Sequence, residues 1–255
     1  MNHDALLRTE KVSKHFYGFR AVDQVDFTLK AGQLKSIIGP NGAGKTTFFN
    51  LIAGLFPPTS GLVLFEGRDI SRLSLHRTVQ LGITKTFQIT HLFPNLTVFE
   101  NVRISAQARQ TTFNFWRTIH SLAELNQWVL NILEEVELID KRSWLASTLS
   151  HGERRYLEIG IALATQPKVL LLDEPTAGMS CAETKLCTAL IQRLNKSLQL
   201  SIVLVEHDMS VVMGISDQIL VLDVGRVLAE GTPQEVSDNE EVQRVYLGER
   251  KACSG

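Results

Sequence analysis

The 255-residue chain is short of cysteine: Cys181, Cys187 and Cys253 are its three, at unrelated spacings. That pattern fits neither a zinc site nor a disulfide framework, and reduced thiols in a cytosolic protein are the simpler reading. Net charge is almost absent, −1 from 26 basic and 27 acidic side chains. No broad electrostatic footprint for nucleic acid exists, so none is expected as a partner. No apolar run approaches the ~20 residues needed to span a bilayer. If the protein works at a membrane, other chains supply the membrane part. The opening MNHDALLRTEKVSKHF has early acidic residues and no long apolar core, which reads as no secretion signal. There is no internal repeat either. What remains is 44% hydrophobic and 21% charged, enough to bury a normal globular core.

The segment IIGPNGAGKTTFFNLIAG, Ile37 to Gly54, sets a polar, glycine-rich loop between an apolar stretch and an apolar helical pattern. Gly39, Gly44, Lys45 and Thr46 fit G-x-x-x-x-G-K-S/T, with Pro40, Asn41, Gly42 and Ala43 between the glycines and Thr47 following. Such a loop turns successive backbone N–H groups toward one point, and the next helix aims its positive dipole end there. Glycine accepts φ > 0 and lets backbone approach a bulky anion. Lys45 can then reach β- and γ-phosphate oxygens, and the Thr46 hydroxyl can ligate Mg²⁺. By chance the pattern arises in roughly one chain of this length in a hundred. A nucleotide phosphate site is favoured over an ordinary strand–turn–helix junction.

Around this loop the chain changes period three times. Leu6 to Val12, Val25 to Leu29 and Leu34 to Ile38 read as short strands, and GLVLFEGRDI as another between glycine turns. From about Thr97 to Ala164 the spacing is helical, with Leu125, Trp128, Val129, Ile132, Leu133 and Val136 on one face. Thr111 to Ser121 has no clear period and reads as a surface excursion. The last third alternates KVLLLD, a helix with Ala182, Leu186, Leu190, Leu194 and Leu198 at i+4 steps, SIVLVEHD and QILVLDVGRVLAEG. Near-continuous apolar runs separated by helices indicate a parallel sheet covered on both faces. Thr97/Glu100, Ser150/Glu153, Ser180/Glu183 and Thr232/Glu235 have capping-box spacing. The expected fold is one α/β domain with an inserted helical subdomain.

KVLLLDEPTAG supplies a partner for the loop. A buried strand ends in Asp173 and Glu174, which alternation points in different directions. Behind a phosphate loop, Asp173 can hold the Mg²⁺ shell and Glu174 can polarise a water for attack on the γ-phosphate. Pro175 ends the strand.

LSHGERRYLEIGIALA, about twenty residues before the second carboxylate motif, resembles the signature of the ATP-binding cassette (ABC) transporter family. Leu149, Ser150, Gly152 and Glu153 match its LSGGQ-like pattern, and His151 replaces the first glycine. The resemblance spans about residues 6 to 248. It implies a P-loop NTPase with a mostly parallel central sheet, an N-terminal antiparallel β-subdomain and an inserted helical subdomain. A single domain over 1–250, helices inserted at about 89–165, and a short tail 251–255 are the expected divisions. ATP and Mg²⁺ are the implied ligands. The family places Tyr17 against adenine, Gln88 as sensor of Mg²⁺ and γ-phosphate, and His207 as the switch histidine. Its signature segment contacts the γ-phosphate held by the other protomer of a head-to-tail dimer. AGMS, Ala177 to Ser180, occupies the D-loop place, with Ser180 where many members have aspartate.

The signature spelled LSHG, the excursion at Thr111 to Ser121 and the ending VQRVYLGE resemble one importer branch. That branch takes up branched-chain amino acids, short amides or urea through a binding protein, two membrane permeases and two similar cassettes. This chain is closest to the cassette with the longer insertion, at the cytoplasmic face of the membrane. Phe93, Pro94, Leu96 and Phe99 form an apolar cluster that could dock a permease or pack beneath the helices. The alternatives are a cassette of a lipid or lipopolysaccharide exporter and a soluble ABC ATPase without transport.

Overall fold

On a strand successive side chains leave on opposite faces, and in the centre of this molecule both faces meet a core. The computed structural model describes residues 5–86, 92–109 and 119–245. The chain begins with β1 (Ala5–Phe16), β2 (Phe19–Lys30), β3 (Leu34–Ile38), α1 (Lys45–Ile52), β4 (Ser60–Phe65) and β5 (Arg68–Asp69). Next come α2 (Leu75–Leu81), β6 (Ile83–Lys85), α3 (Val98–Arg109), α4 (Ile119–Glu135) and α5 (His151–Ala164). Strands and helices then alternate as β7 (Val169–Asp173), α6 (Cys181–Ser197), β8 (Ser201–Val205), α7 (Met209–Ile215), β9 (Gln218–Asp223), β10 (Arg226–Gly231) and α8 (Pro233–Ser237).

The central sheet has the order β10-β9-β3-β8-β7-β6, parallel from β9 to β6 with β10 antiparallel at its edge. A second sheet, β2-β1-β4-β5, is antiparallel. Val169 and Leu171 of β7 and Val203 and Val205 of β8 pack with Phe48 and Phe49 of α1 and with Leu7 and Phe27 of the second sheet. Their neighbours Leu170, Leu172, Ile202 and Leu204 share the core of α3 to α6. Each such side chain contributes about 1.5–3 kcal/mol, so a register slip of one residue would misplace both sets.

Leu125, Val129, Ile132, Leu133 and Val136 form the buried stripe of α4 and its C-terminal end, as their spacing predicts, with Trp128 at its margin. Gly160 lets α5 approach: an added Cβ would lie 3.2 Å from a Val136 methyl and 3.5 Å from one of Ile132. The i+4 stripe expected on α6 is only partly buried. Leu190 and Leu194 lie in the core with Cys187 and Ile191, while Leu186 and Leu198 are exposed. Steps of four overshoot a 3.6-residue turn by about 40° each, so a long i+4 row winds off the buried face.

All four capping boxes are formed. Ser150, Ser180 and Thr232 each accept from the backbone N–H three residues on, and that glutamate accepts in return. Thr97 and Glu100 make the same exchange at α3. β1 and β2 extend well beyond the apolar cores that announce them, meeting with Phe16 opposite Phe19. Tyr17 and Gly18 close this hairpin with positive φ, 48° and 90°, the backbone that matches strand twist in a two-residue turn. Of the expected excursion, 111–118 lies outside the described residues.

Candidate functional site

β3 ends at Ile38, and the chain turns through Gly39, Gly42 and Gly44, all at positive φ, before α1 begins at Lys45. Gly44 cannot take a side chain, because a Cβ would sit 2.3 Å from the Ala21 carbonyl oxygen. The loop therefore packs directly on β2. Lys45 is buried, and its Nζ donates to the Gly39 and Pro40 carbonyls at 2.6 and 2.9 Å. A cavity of about 300 Å³ opens over the loop. Asn41, Gly42, Ala43, Gly44, Lys45, Thr46 and Thr47 line it, and so do Glu174, His207, Phe19 and Ala21. The expected phosphate loop and two of the expected catalytic residues thus share one cavity.

The two carboxylates at the end of β7 go to different places, Asp173 from the strand itself and Glu174 from the turn that follows. Asp173 is buried with its Oδ2 3.1 Å from Lys85 Nζ on β6. Glu174, just past the strand, has φ 48°, an outlier for a non-glycine residue that needs support from its surroundings. Its N–H donates to the Val205 carbonyl, and Arg155 of α5 donates to its carbonyl. Its carboxylate then meets His207, with Oε1 and Nε2 2.9 Å apart. Behind them Glu206 is buried. Its Oε1 accepts from the Thr176 N–H and hydroxyl at 2.9 and 2.6 Å, and its Oε2 from the His207 N–H at 3.1 Å. One carboxylate thereby fixes both the turn after Glu174 and the backbone of His207. The sequence carried one signal for it, an acid closing the otherwise apolar SIVLVE.

The signature opens α5. Ser150 and Glu153 form its capping box, and a hydrogen bond from Lys141 chiefly holds the Glu153 carboxyl below its usual range. Gly152 is buried beside Glu183 of α6. His151 places its Nε2 3.1 Å from the Ala177 carbonyl oxygen, tying the signature to the D-loop of the same chain. None of Ser150, His151, Gly152 and Glu153 lines the cavity over the phosphate loop. Tyr17 does not line it either: it is fully exposed at the hairpin tip, and Phe19 is the aromatic residue of the cavity wall. Gln88 lies outside the described residues.

Oxygen donors suit Mg²⁺. Thr46 lines the cavity and carries a hydroxyl, and the Asp173 carboxylate, which is not in the cavity wall, is the second oxygen donor chemically fit for such an ion. Among the described residues no group of three or more His, Cys, Asp or Glu could hold a metal alone.

A protein-family model described as ABC transporter matches residues 22–177, which include the phosphate loop, the signature and both carboxylates. The chain belongs to the ABC transporter family. This cassette is an ATP-binding protein and an ATPase of the kind coupled to transport. A second model, described as branched-chain amino acid ATP-binding cassette transporter, matches residues 226–252. The high-affinity branched-chain amino acid transport ATP-binding protein BraF of Pseudomonas aeruginosa is 39% identical over 251 residues, covering 96% of this chain and 98% of that protein. Among solved structures, the ADP conformation of MJ1267, an ATP-binding cassette of an ABC transporter, superposes with TM-score 0.84 at 29% identity, covering 96% and 99% of the two chains. A dimeric post-hydrolysis state of the cassette MJ0796 with ADP and Pi gives 0.75 at 27% identity over 89% and 98%.

Proposed function

We propose that this cassette hydrolyses ATP to power a membrane importer of branched-chain amino acids. The C-terminal match at residues 226–252 carries the choice of substrate, and the likeness to BraF over nearly the whole of both chains supports it. The cassette is one ATPase domain over 1–250 with helices inserted at about 89–165 and a tail at 251–255. No helix among the described residues is long and apolar enough to cross a membrane. In this reading the cassette attaches at the cytoplasmic face to two permease subunits, which receive substrate from a separate binding protein. A cavity of about 180 Å³ walled by Leu75, Val79, Leu92 and Ile161 is where a permease segment would seat. Phe93 and Pro94 of the apolar cluster are exposed, whereas Phe99 packs on the helical core.

In hydrolysis, the loop N–H groups and the N-terminus of α1 hold the phosphates. Lys45 leaves its own loop carbonyls for the β- and γ-phosphates. Tyr17 and Phe19 are the aromatic residues available to adenine. Thr46, Asp173 and Gln88 would hold Mg²⁺, which when bound neutralises phosphate charge. Glu174 accepts the proton of the attacking water, and His207 orients Glu174 and donates toward the γ-phosphate. Ser150, His151, Gly152 and Glu153 act on the phosphate held by a second cassette, consistent with their absence from this chain's own cavity wall. Uptake of labelled leucine, urea and a short amide by cells lacking the gene tests the proposal. Leucine uptake should fall and return with the wild-type chain but not with Glu174→Gln. Unchanged leucine uptake in the deletion strain would refute the assignment.

A further inference from the structure

Lys85 stands out among the charged groups that the reaction scheme leaves unused. It ends β6, two residues before the 87–91 segment, and its side chain is 9% exposed. Three groups hold its ammonium: Asp173 Oδ2 at 3.1 Å, Asn50 Oδ1 of α1 at 2.6 Å, and the Phe49 ring centroid at 5.0 Å. Asp173 is buried more deeply still, at 4%. A carboxylate so enclosed needs a compensating cation, and the Lys85 ammonium stands 3.1 Å from it.

We propose that Lys85 is the resident counter-ion of Asp173 and reserves that carboxylate for a divalent cation that arrives with nucleotide phosphates. The inference rests on the placement of Asp173 in the metal shell. Without nucleotide, the described residues offer a hydrated divalent ion a neutral Thr46 hydroxyl and a carboxylate already neutralised by an ammonium. Such a donor set is too weak to dehydrate Mg²⁺, which is normally bound by carboxylates together with substrate phosphates. Among the described residues there is no group of three or more His, Cys, Asp or Glu that could hold the ion alone. Once phosphates bring the ion already partly neutralised, the ammonium no longer has to be displaced. Lys85 is in this sense a positioning residue. It fixes the Asp173 side chain and sets the order in which metal and nucleotide bind.

Titration of the full chain with Mn²⁺ alone, followed by the loss of the free-ion electron paramagnetic resonance signal, tests this. The wild-type chain should bind Mn²⁺ tightly only when ATP is added. Lys85→Met keeps the stem but removes the charge, so nucleotide-free Mn²⁺ affinity should rise at least ~10-fold, since a unit charge within hydrogen-bond distance is lost. Adding Asp173→Asn to that variant should abolish the gain, and Lys85→Arg should behave as wild type. Lys85→Met should also melt at a lower temperature without metal and recover with Mg²⁺. A Lys85→Met chain that binds Mn²⁺ no better than wild type overturns the inference. So does a wild-type chain that binds Mn²⁺ tightly without nucleotide and loses it with Asp173→Asn, a result that needs no variant at Lys85. The underlying placement fails separately, if Asp173→Asn leaves the Mg²⁺ dependence of ATP affinity unchanged.

Discussion

Glu206→Gln exchanges one acceptor oxygen for a donor at a site that offers three donors. The native carboxylate accepts from Thr176 N–H, Thr176 Oγ1 and His207 N–H, at 2.9, 2.6 and 3.1 Å. If the amide oxygen keeps the Thr176 pair, the new NH₂ faces the His207 N–H, donor against donor. The flipped amide sets the same conflict at Thr176. Either way one buried donor loses its partner, and the surviving bonds lose their charge assistance. An unsatisfied buried group costs about 1–3 kcal/mol. For a chain of this size each kcal/mol lowers Tm by about 2–4 °C, so about 2 kcal/mol predicts a fall of ~4–8 °C. The effect should reach catalysis as well, because the same carboxylate anchors the His207 backbone and the turn after Glu174. A tenfold loss of turnover corresponds to about 1.4 kcal/mol in the barrier and is the expected scale. Differential scanning fluorimetry and phosphate release measure the two effects. An unchanged Tm together with wild-type turnover would show that Glu206 holds neither element.

Other outcomes follow from the same geometry. His207→Ala should keep nucleotide binding but lose most hydrolysis; a collapse of fluorescent-nucleotide affinity would make the residue structural. Lys45→Ala should weaken ATP binding and nearly abolish hydrolysis. Mixed with Ser150→Arg in a chain that is active as a homodimer, it should regain activity above the sum of the two variants, because one site of each mixed dimer keeps both halves. Additive rates in confirmed mixed dimers would oppose a site shared between protomers. Acid should weaken the fold. Backbone N–H bonds from Thr97, Ser180 and Thr232 chiefly hold Glu100, Glu183 and Glu235 below their ordinary 4.5, and the Lys141 bond does so for Glu153. A carboxyl with a lowered folded-state value contributes above its unfolded value and loses that contribution as pH falls through the folded one. The urea midpoint should therefore decline below about pH 4.5, less steeply in Glu183→Gln. An identical decline in that variant would remove the cap from the explanation.

The parts legible in the sequence were those that local chemistry specifies. The phosphate loop needs glycines and a lysine in fixed order, β7 declares itself by an unbroken apolar run, and each capping box pairs residues three apart. Asn41 to Thr47, Glu174 and His207 converge on one cavity, with Gly39 and Pro40 outside its wall. What escaped depends on register between distant strands. The Lys85–Asp173 pair exists because β6 lies beside β7, and Glu206 reaches Thr176 because β8 lies on the other side of β7. Nothing in KTFQ or VEHD alone announces either contact. The first hairpin outruns its apolar cores for another reason. SKHF and GFRA are half polar and lie at a partly exposed sheet end, where pairing rather than burial extends the strands. Tyr17 lies in the turn itself, whereas alternation along β2 puts Phe19 with Ala21 on the cavity wall.

The central claim is that Glu174, placed past the end of β7 against His207, is the base of an ATPase built on the Lys45 loop. The most direct measurement is paired nucleotide titration and single-turnover hydrolysis for wild type and Glu174→Gln, with Mg²⁺ present. Because Lys45, Thr46 and Asp173 are untouched, ATP binding should persist, while hydrolysis falls at least ~100-fold for want of a general base. Turnover close to wild type in a variant that still binds ATP would contradict the account.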